Sequence, residues 1–394
     1  MQKGLKTLKN QKILRLGQVF ILLTLFSGWI FARQTVTVPT PKPKPKASPT
    51  ARPDESPVIT VPPEKPLKKT PVGPSGKVGP INPAPTVSAE RRVTNEQDIP
   101  FEKSIEVDGK VNIGLCVSEG NIKINGWERD EIRVFVNRGS KAGFRVLNKN
   151  SDGKPTRMTI LGYDPVKDKG RDVNQCLSGE EIELDVPIGT NLSRLAAREA
   201  RVTITIDTIA RARGIAVNEG DIELRGIEEG IEAKSFDGDI SVEGSNGAID
   251  LDTTNGSILV FNVEPVEEGD ILKVRANSGN IVLQSTGHSV LNAVSITGAI
   301  KFTGEIQSDG QYKFSNTNGQ ISLWTPTELS CTVQVISHKD KFFSDFPVKI
   351  STENVYPPSM KKFIGTIGST EGETGIASIN LETQNGRITI RKIK

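Results

Sequence analysis

The sequence predicts an all-β chain whose main domain is a parallel β-solenoid, or β-helix-like stack, of short repeated units. Three features predict it: a turn dipeptide that ends in Gly, an Ile two residues later, and alternation of polar and apolar residues after that Ile. Units this short cannot bury an apolar face alone, so they must stack on their neighbours. The copies are EGNIKI (119–124), EGDIEL (219–224), DGDISV (237–242), NGAIDL (246–251), NGSILV (255–260), SGNIVL (278–283), TGAIKF (297–302), NGQISL (318–323) and NGRITI (385–390).

Each copy combines a turn signal with a strand signal. Asn, Asp or Ser before Gly favours a turn, because Gly accepts a positive φ. The alternation that follows is typical of a strand with one buried face. The predicted turn residues are Gly220, Gly238, Gly247, Gly256, Gly279, Gly298, Gly319 and Gly386. The predicted core residues are Ile222, Ile240, Ile249, Ile258, Ile281, Ile300, Ile321 and Ile388.

The spacing of the turn glycines indicates about two units per coil, or about 20 residues, although three units per coil remain open. A β-sandwich or barrel with a strand every 8–12 residues is the alternative fold. Strand pairing separates the two. A solenoid pairs 238–243 in parallel with 256–261, so that Ile240 stacks on Ile258, whereas a meander pairs 238–243 antiparallel with 247–252.

The first hundred residues predict a leader and a linker. Residues 1–33 read as a signal peptide or an N-terminal membrane anchor, since basic residues precede an uncharged run from Leu16 to Ala32. Residues 34–100 read as a disordered Pro/Lys-rich linker, because 39–100 hold 16 of the 24 prolines and no apolar period.

The remaining residues predict one repeat domain with a capped end. Residues 101–190 form its β-rich N-terminal cap, and 191–394 form the β-solenoid repeats with an insertion at 327–374. The stretch 191–206 is interpreted as a degenerate repeat, with Val202 and Ile204 at the positions of the repeat Ile and the next apolar residue. A short helix is the alternative there. The insertion is interpreted as a cap, with a mobile binding loop as the alternative.

The charge distribution argues against nucleic-acid binding by this domain. The whole chain carries +3, but residues 1–38 carry +6 and residues 39–100 carry +4, so residues 101–394 carry −7. The basic pI therefore comes from the leader and linker, and the folded part is acidic.

Three cysteines predict one disulfide and one free thiol. They form no Cys-x-x-Cys pair and no zinc-ligand spacing. Because an exported chain meets an oxidising compartment, we expect Cys116 to pair with Cys176, which leaves Cys331 free. Closing that loop would stabilise the fold by about 4 kcal/mol in the chain-entropy model.

No sequence motif indicates catalysis, a cofactor or a metal site. The two histidines fit no catalytic triad, and His288 after its Gly is expected to be a surface turn residue. Trp127 is expected to plug a core edge, with a carbohydrate-stacking platform as the alternative. Asp237, Asp239, Asp250 and Asp252 lie on neighbouring predicted turns or strands and could cluster, but we interpret them as outward residues of a solvated sheet.

The repeats, together with GNIKINGWERDEIRV (120–134), ELDVPIGTNL (183–192) and SINLETQNGRITI (378–390), resemble the bacterial putative-adhesin family of β-strand-repeat envelope proteins. The resemblance covers most of residues 101–394. It implies a β-solenoid-like fold on the outer side of a membrane.

We therefore expect an exported, non-catalytic β-repeat protein of the periplasm, cell envelope or extracellular space. Expected partners are cell-wall or surface polysaccharide or other envelope proteins, with no nucleic acid and with a membrane tether if the leader is retained. An envelope-stress sensory module and a polysaccharide-active β-helix enzyme are the alternatives. An uncleaved first segment would favour the sensory module, and a carboxylate pair in a groove would favour the enzyme.

Overall fold

The computed structural model describes residues 99–163, 175–326, 328–338, 341–356, 360–369 and 375–393. The chain divides into two compact units, Met1–Thr86 and Val87–Lys394, and every described residue lies in the second. The predicted leader (1–33) and all but the last two residues of the predicted linker (34–100) lie outside the described residues.

The described residues form 26 β-strands and no helix. The first seven are β1 (Phe101–Glu106), β2 (Asn112–Trp127), β3 (Glu131–Gly139), β4 (Lys141–Lys149), β5 (Pro155–Tyr163), β6 (Leu177–Pro187) and β7 (Asn191–Arg201). The next seven are β8 (Ile204–Asp207), β9 (Arg211–Glu219), β10 (Ile222–Arg225), β11 (Ile231–Asp237), β12 (Ile240–Glu243), β13 (Ile249–Asn255) and β14 (Ile258–Val263).

The same alternation of long and short strands continues to the repeat's last regular coil. These strands are β15 (Ile271–Ser278), β16 (Ile281–Thr286), β17 (Val290–Thr297), β18 (Ile300–Thr303), β19 (Gln311–Asn318) and β20 (Ile321–Thr325). The final six are β21 (Cys331–His338), β22 (Phe342–Ser344), β23 (Val348–Tyr356), β24 (Met360–Ile367), β25 (Ala377–Thr383) and β26 (Ile388–Lys392).

Two parallel sheets make up the stack, and each coil contributes one strand to each sheet. The short-strand sheet contains β8, β10, β12, β14, β16, β18, β20 and β26; the long-strand sheet contains β7, β9, β11, β13, β15, β17, β19 and β25. In the short-strand sheet Ile240 pairs with Ile222 on one side and Ile258 on the other, both in parallel. The parallel solenoid is therefore confirmed and the antiparallel meander is excluded.

The Ile249 copy shows that a coil holds two units. Ile249 lies in the long-strand sheet, where it pairs with Ile231 and Leu272, not with the isoleucines of the short-strand sheet. All eight predicted core isoleucines are buried, and the apolar side chains of both sheets share one core. The repeated Ile thus fills the core from both sides.

Truncating Ile249 to Ala is expected to lower the free energy of unfolding by roughly 2–5 kcal/mol, because packed coils on both sides cannot collapse into the cavity. Urea unfolding of the purified protein measures this. Ser241→Ala, at an outward-facing position of β12, is the control and should change stability by less than about 0.5 kcal/mol. Equal effects of the two substitutions would contradict the assignment of inner and outer positions.

Near the N-terminal end of the stack, β2 passes through both sheets and has a parallel neighbour on each side in both of them. Its first half pairs with β7 and β5 in the long-strand sheet, and its second half pairs with β8 and β6 in the short-strand sheet. Antiparallel strands then close the end: β4 pairs with β5, β3 with β6 and β1 with β3. Residues 101–190 therefore contain the coil formed by β2, the parallel strands β5 and β6 outside it, and antiparallel closing strands.

The stretch 191–206 is a repeat, but the predicted register was two residues off. It forms β7 and β8 with no helix, and Ile204 pairs with both Ile122 and Ile222. Ile204, not Val202, is thus the counterpart of the repeat Ile. Val202 occupies the place of the turn Gly: its N–H donates to the Glu219 carbonyl, as the Gly220 N–H does to the Asp237 carbonyl.

At the C-terminal end the chain order and the stacking order differ. Strands β21 and β22 form the outermost coil, and β24 and β23 extend it as an antiparallel hairpin. The chain then returns, and β25 and β26 insert between the β19–β20 coil and the β21–β22 coil. The insertion at 327–374 therefore ends the stack, and the repeat strands that follow it in sequence lie inside.

Candidate functional site

One corner of the stack is a column of glycines in close contact. A Cβ on Gly279 would lie 1.9 Å from the carbonyl oxygen of Gly256, and a Cβ on Gly298 would lie 2.0 Å from that of Gly279. The predicted turn residues Gly220, Gly238, Gly256, Gly279, Gly298, Gly319 and Gly386 all belong to this column. Gly247 lies at the opposite corner, with φ +88° and a Cβ position 2.9 Å from the Gly230 nitrogen.

A row of buried polar side chains supports the same corner from inside. The Ser235 and Thr253 hydroxyls donate to the carbonyls of Gly220 and Gly238, and the Thr383 hydroxyl donates to that of Gly319. Each of these residues comes three positions before a turn Gly, a regularity that sequence reasoning missed. Because these hydroxyls satisfy carbonyls inside the core, they stabilise the stack.

The outer surface of the long-strand sheet is a regular array of charged and polar side chains. Lys273 Nζ lies 2.7 Å from the Asp250 carboxylate, and Arg275 lies 3.3 Å from that of Asp252. Arg211 makes a further ion pair of 2.8 Å with Glu229. Since neighbouring coils are about 4.8 Å apart, polar groups recur along the stack at that interval.

Four shallow depressions lie on this outer surface. Their volumes are about 400, 500, 290 and 240 Å³, all within or near the range of ligand sites. The second is lined by residues of β17, β19 and β25 and the turns next to them, the third by residues in or next to β9, β11, β13 and β15, and the fourth by residues of β19, β21 and β25. Together they make this surface the candidate binding face.

The 400 Å³ depression, called here the bulge groove, differs from the other three in having an exposed aromatic side chain, Phe236, in its lining. It is lined by Arg194, Ala196, Ala197, Gly214, Ala216, Val217, Asn218, Lys234, Ser235, Phe236, Asp252 and Thr254. Of its polar and aromatic side chains, sequence reasoning singled out only Asp252, as one of four carboxylates that could cluster. The available signal was Phe236, an aromatic residue at an outward position of an otherwise polar alternation.

The structure joins Cys116 and Cys176 in a disulfide, with their Cα atoms 4.7 Å apart. Cys116 pairs in register with Ala196, which lines the bulge groove, so the disulfide lies in the coil next to that groove. Cys331 is free and buried in the core, and its burial raises the pKa of the thiol to about 12. Its thiol is therefore protonated and inert near neutral pH.

The four carboxylates considered for catalysis are not gathered into one site. Asp250 and Asp252 lie on the binding face in ion pairs with Lys273 and Arg275. Asp237 and Asp239 flank the corner at Gly238, where the Asp239 carboxylate accepts a hydrogen bond from the Ser257 amide. In the described part of the chain, no group of three or more His, Cys, Asp or Glu side chains could hold a metal ion.

Trp127 is half-buried and covered by two arginines. Its indole N–H donates to the Glu131 carbonyl at 2.8 Å, and the guanidinium groups of Arg129 and Arg133 lie 5.0 and 5.8 Å from the ring. Arg133 also pairs with the largely buried Asp185, and that hydrogen bond raises the pKa of the guanidinium. Trp127 thus packs at an edge of the closing strands beneath cations, and offers less open ring face than a carbohydrate platform needs.

His288 is buried, so its predicted place on the surface was wrong. Its Nε2–H donates to the Gly247 carbonyl at 2.9 Å, and Nδ1 has no partner within the described ranges. Burial lowers the pKa of the imidazole, since the core does not solvate the charged form. The neutral ring serves as a structural tie at the corner that holds Gly247.

We expect His288 to make the domain less stable at acid pH. Its folded-state pKa is depressed, so stability is full above the unfolded pKa of about 6.5 and is lost as pH falls through the lower folded-state value. Urea unfolding at about pH 7.5 and about pH 5 measures the loss. His288→Gln keeps a donor but removes the titration, and it should show a smaller loss between these pH values than the native chain shows.

The outer surface of the short-strand sheet also exposes apolar side chains. Leu259 and Val282 are neighbours on adjacent strands, and Leu259 is 46 % exposed. Trp324, three strands further along, is 37 % exposed. None of the four depressions described above lies on this surface.

A search of the described residues for a helix able to cross a bilayer finds none.

Comparison with protein families identifies one match, to the family described as Toastrack DUF4097, over residues 86–391. Among curated proteins, none matches the chain.

Several solved structures are similar to the chain at low identity. A putative cell adhesion protein from Clostridium sporogenes ATCC 15579 shares 13% identity, with 75% of this chain and 100% of that chain covered, at a TM-score of 0.16. A putative adhesin from Bacteroides fragilis NCTC 9343 shares 14%, covering 75% and 97%, at 0.25. A putative lipid binding protein from Parabacteroides distasonis ATCC 8503 shares 10%, covering 75% and 97%, at 0.30. At these scores the likeness carries no argument about function.

Proposed function

The chain belongs to the Toastrack family DUF4097, the adhesin-like β-repeat family that its sequence resembles, and from this premise we propose that it is an exported, non-catalytic surface-interaction module. Its long-strand sheet is the binding face, and the ligand is a polymer of the cell wall or cell surface. Polysaccharide is the favoured polymer class, because the face presents hydrogen-bonding side chains in a regular array.

The observation that carries this proposal is the periodic outer surface of the long-strand sheet. Charged and polar groups repeat on successive coils, with Asp250–Lys273 and Asp252–Arg275 side by side. The strands that carry them are hydrogen-bonded on both sides and rest on a continuous apolar core. A rigid surface with repeated polar groups binds a repeating ligand with little loss of conformational entropy.

The proposed absence of catalysis is supported by the ion pairing of the acidic groups on this face. Asp250 is paired with Lys273 and Asp252 with Arg275. A glycoside hydrolase needs two carboxyl groups that flank the scissile bond and are free to act on the sugar. The pairing on this face works against that requirement.

The proposed export is supported by the sequence of residues 1–33 and by the disulfide between Cys116 and Cys176. Disulfides of this kind persist in oxidising compartments. We expect a mature chain that begins just after Ala32, and mass spectrometry of the native N-terminus checks this. If Met1 is still present on membrane-bound protein, the leader is not cleaved and residues 1–33 act as a membrane anchor.

Binding to a glycan and peptidoglycan array tests the function directly. The chain should bind at least one surface polysaccharide, and reversing charges on the binding face with Lys273→Glu should weaken that binding. Lys301→Glu on the short-strand sheet is the matched control and should leave it unchanged. If no polymer of the array binds, or if only Lys301→Glu weakens binding, the proposed binding face is wrong.

A further inference from the structure

We propose that the bulge groove, lined by residues of β7, β9, β11 and β13, binds an acidic sugar residue of a surface glycan: a uronate separated from the next uronate by neutral sugars. This inference rests on the proposed function and names the ligand class of one site on the binding face. Three features of the groove carry it: its shape, its exposed aromatic ring and its excess of cationic donors.

The shape comes from an extra residue in two successive strands. In β7 and β9, Leu192 pairs with Ala212 and Leu195 with Ile215, so each strand has two residues between the paired positions. The next strand, β11, has only one residue between Ile231 and Ala233, and the register shifts there. Bulges turn side chains away from the regular surface and commonly lie next to binding sites.

Glycine is required for this bulge to stack. Gly214 has φ +62°, and a Cβ at this position would lie 2.6 Å from the Ser193 carbonyl oxygen of the strand beneath. With Ala196 and Ala216 also lining the groove, small residues leave open the space that longer side chains fill elsewhere on the face. The groove is therefore a consequence of specific residues in two coils.

The aromatic ring is Phe236, which is 58 % exposed on the outer surface. An exposed phenyl ring on a polar face costs free energy of hydration unless a ligand covers it. Its apolar face can pack against the C–H face of a pyranose ring. Neighbouring polar side chains then reach the sugar's hydroxyl and carboxylate groups.

The charged side chains of the groove offer more donors than acceptors. Arg194 has no ion-pair partner among the described residues, and Lys234 pairs with Glu232 only through an exposed contact of 3.4 Å. The carboxylate of Asp252 is already engaged with Arg275. A guanidinium group binds a carboxylate through two parallel hydrogen bonds, so a sugar carboxylate fits Arg194 better than a hydroxyl does.

The charge around the groove limits the density of charge on the ligand. On β11 and β13 the outward carboxylates Glu232, Asp250 and Asp252 lie beside Lys234 at one side of the groove. A uniformly charged polyanion would meet these carboxylates and be repelled. A glycan that alternates uronate with neutral sugars places one carboxylate near Arg194 and Lys234 and neutral rings over the acidic surroundings.

Calorimetry with the intact chain tests the inference. The probes are hyaluronan oligosaccharides, in which uronate alternates with a neutral sugar, and the same oligosaccharides with their carboxylates methyl-esterified. We expect the ester to bind at least about tenfold more weakly, as for loss of a charged hydrogen bond. Arg194→Ala and Phe236→Ala should each weaken binding of the acid form by about tenfold. Arg194→Lys should restore part of that loss.

Two control variants remove a cation and an exposed apolar side chain from the opposite sheet. Arg225→Ala removes an exposed cation and Leu259→Ala removes an exposed apolar side chain, and neither should change binding. Equal affinity for acid and ester, or unchanged binding by Arg194→Ala, would overturn the inference. Absence of binding to the acid oligosaccharide would also overturn it. If the chain still binds another polymer of the array, the proposed function survives; if it binds none, both fail.

Discussion

Replacing Gly279 with alanine is expected to lower the free energy of unfolding by more than about 3 kcal/mol, among the largest effects of any single substitution in this chain. The new Cβ would lie 1.9 Å from the carbonyl oxygen of Gly256. That oxygen belongs to the backbone of the neighbouring coil. It cannot move away without breaking the hydrogen bonds between coils at this corner. Urea or thermal unfolding of the purified variant measures the loss.

Gly269→Ala is the matched control for the strain of a positive φ. Gly269 has φ +94°, but nothing lies within 4 Å of its Cβ position. It should therefore lose only about 1–2 kcal/mol, the cost of a left-handed conformation for a residue with a side chain. Similar losses in the two variants would mean that the glycine column is a matter of φ alone and not of close contact between coils.

Burying a charge in the coil formed by β25 and β26 is expected to prevent folding of the entire stack. Leu381 is buried in the long-strand sheet, where it pairs with Phe314 on one side and Val335 on the other. Leu381→Asp places an unpaired carboxylate between two coils, a cost of several kcal/mol that approaches the whole stability of a typical domain. Circular dichroism and hydrogen exchange of the purified variant measure the outcome.

Ile350→Asp in β23 is the matched control for the burial of charge. Ile350 is half exposed on the terminal strand of the hairpin, so an aspartate there stays in contact with water. This variant should fold and lose less than about 1 kcal/mol. If Leu381→Asp also folds, with protected amides in β21 and β22, the last coil in sequence would not lie inside the stack.

The architecture could be predicted from sequence because its cause is local and repeated. Gly238 and Ile240 recur as Gly256 and Ile258 one coil later, and both pairs obey the same two constraints: a tight turn and one buried face. Repetition turns a weak turn-and-strand signal into a strong one. The family match confirms the resemblance inferred from these same segments.

The order of the terminal coils could not be predicted, since the repeat phrase carries no information about which neighbour a strand will join. The copies at Ile122 and Ile388 look like outliers in sequence, yet both stack directly on regular repeats, at Ile204 and Ile321. The chain crosses over a coil at each end to reach these places. Long connections of this kind leave no periodic trace.

The sequence predicted that a face of the solenoid binds a partner, but not which residues form the binding site on that face. Its ion pairs join residues 23 apart, such as Asp250 and Lys273, and that distance depends on the length of one particular coil. The bulge groove depends on a one-residue register shift between β9 and β11, which a pattern of alternating residues does not reveal. His288 was misplaced for a related reason: a Gly before it suggested a turn, but the ring points into the core.

Mapping the bound polymer onto the two sheets tests the central claim most directly. The intact chain, saturated with a polysaccharide that it binds on the array, is treated with hydroxyl radicals, and side-chain oxidation is compared with that of the free chain. The account predicts that protection appears on the long-strand sheet, at Phe236 and Ile296, and leaves Leu259 and Trp324 on the short-strand sheet unchanged. Protection of Leu259 and Trp324 with none at Phe236 and Ile296 would contradict it.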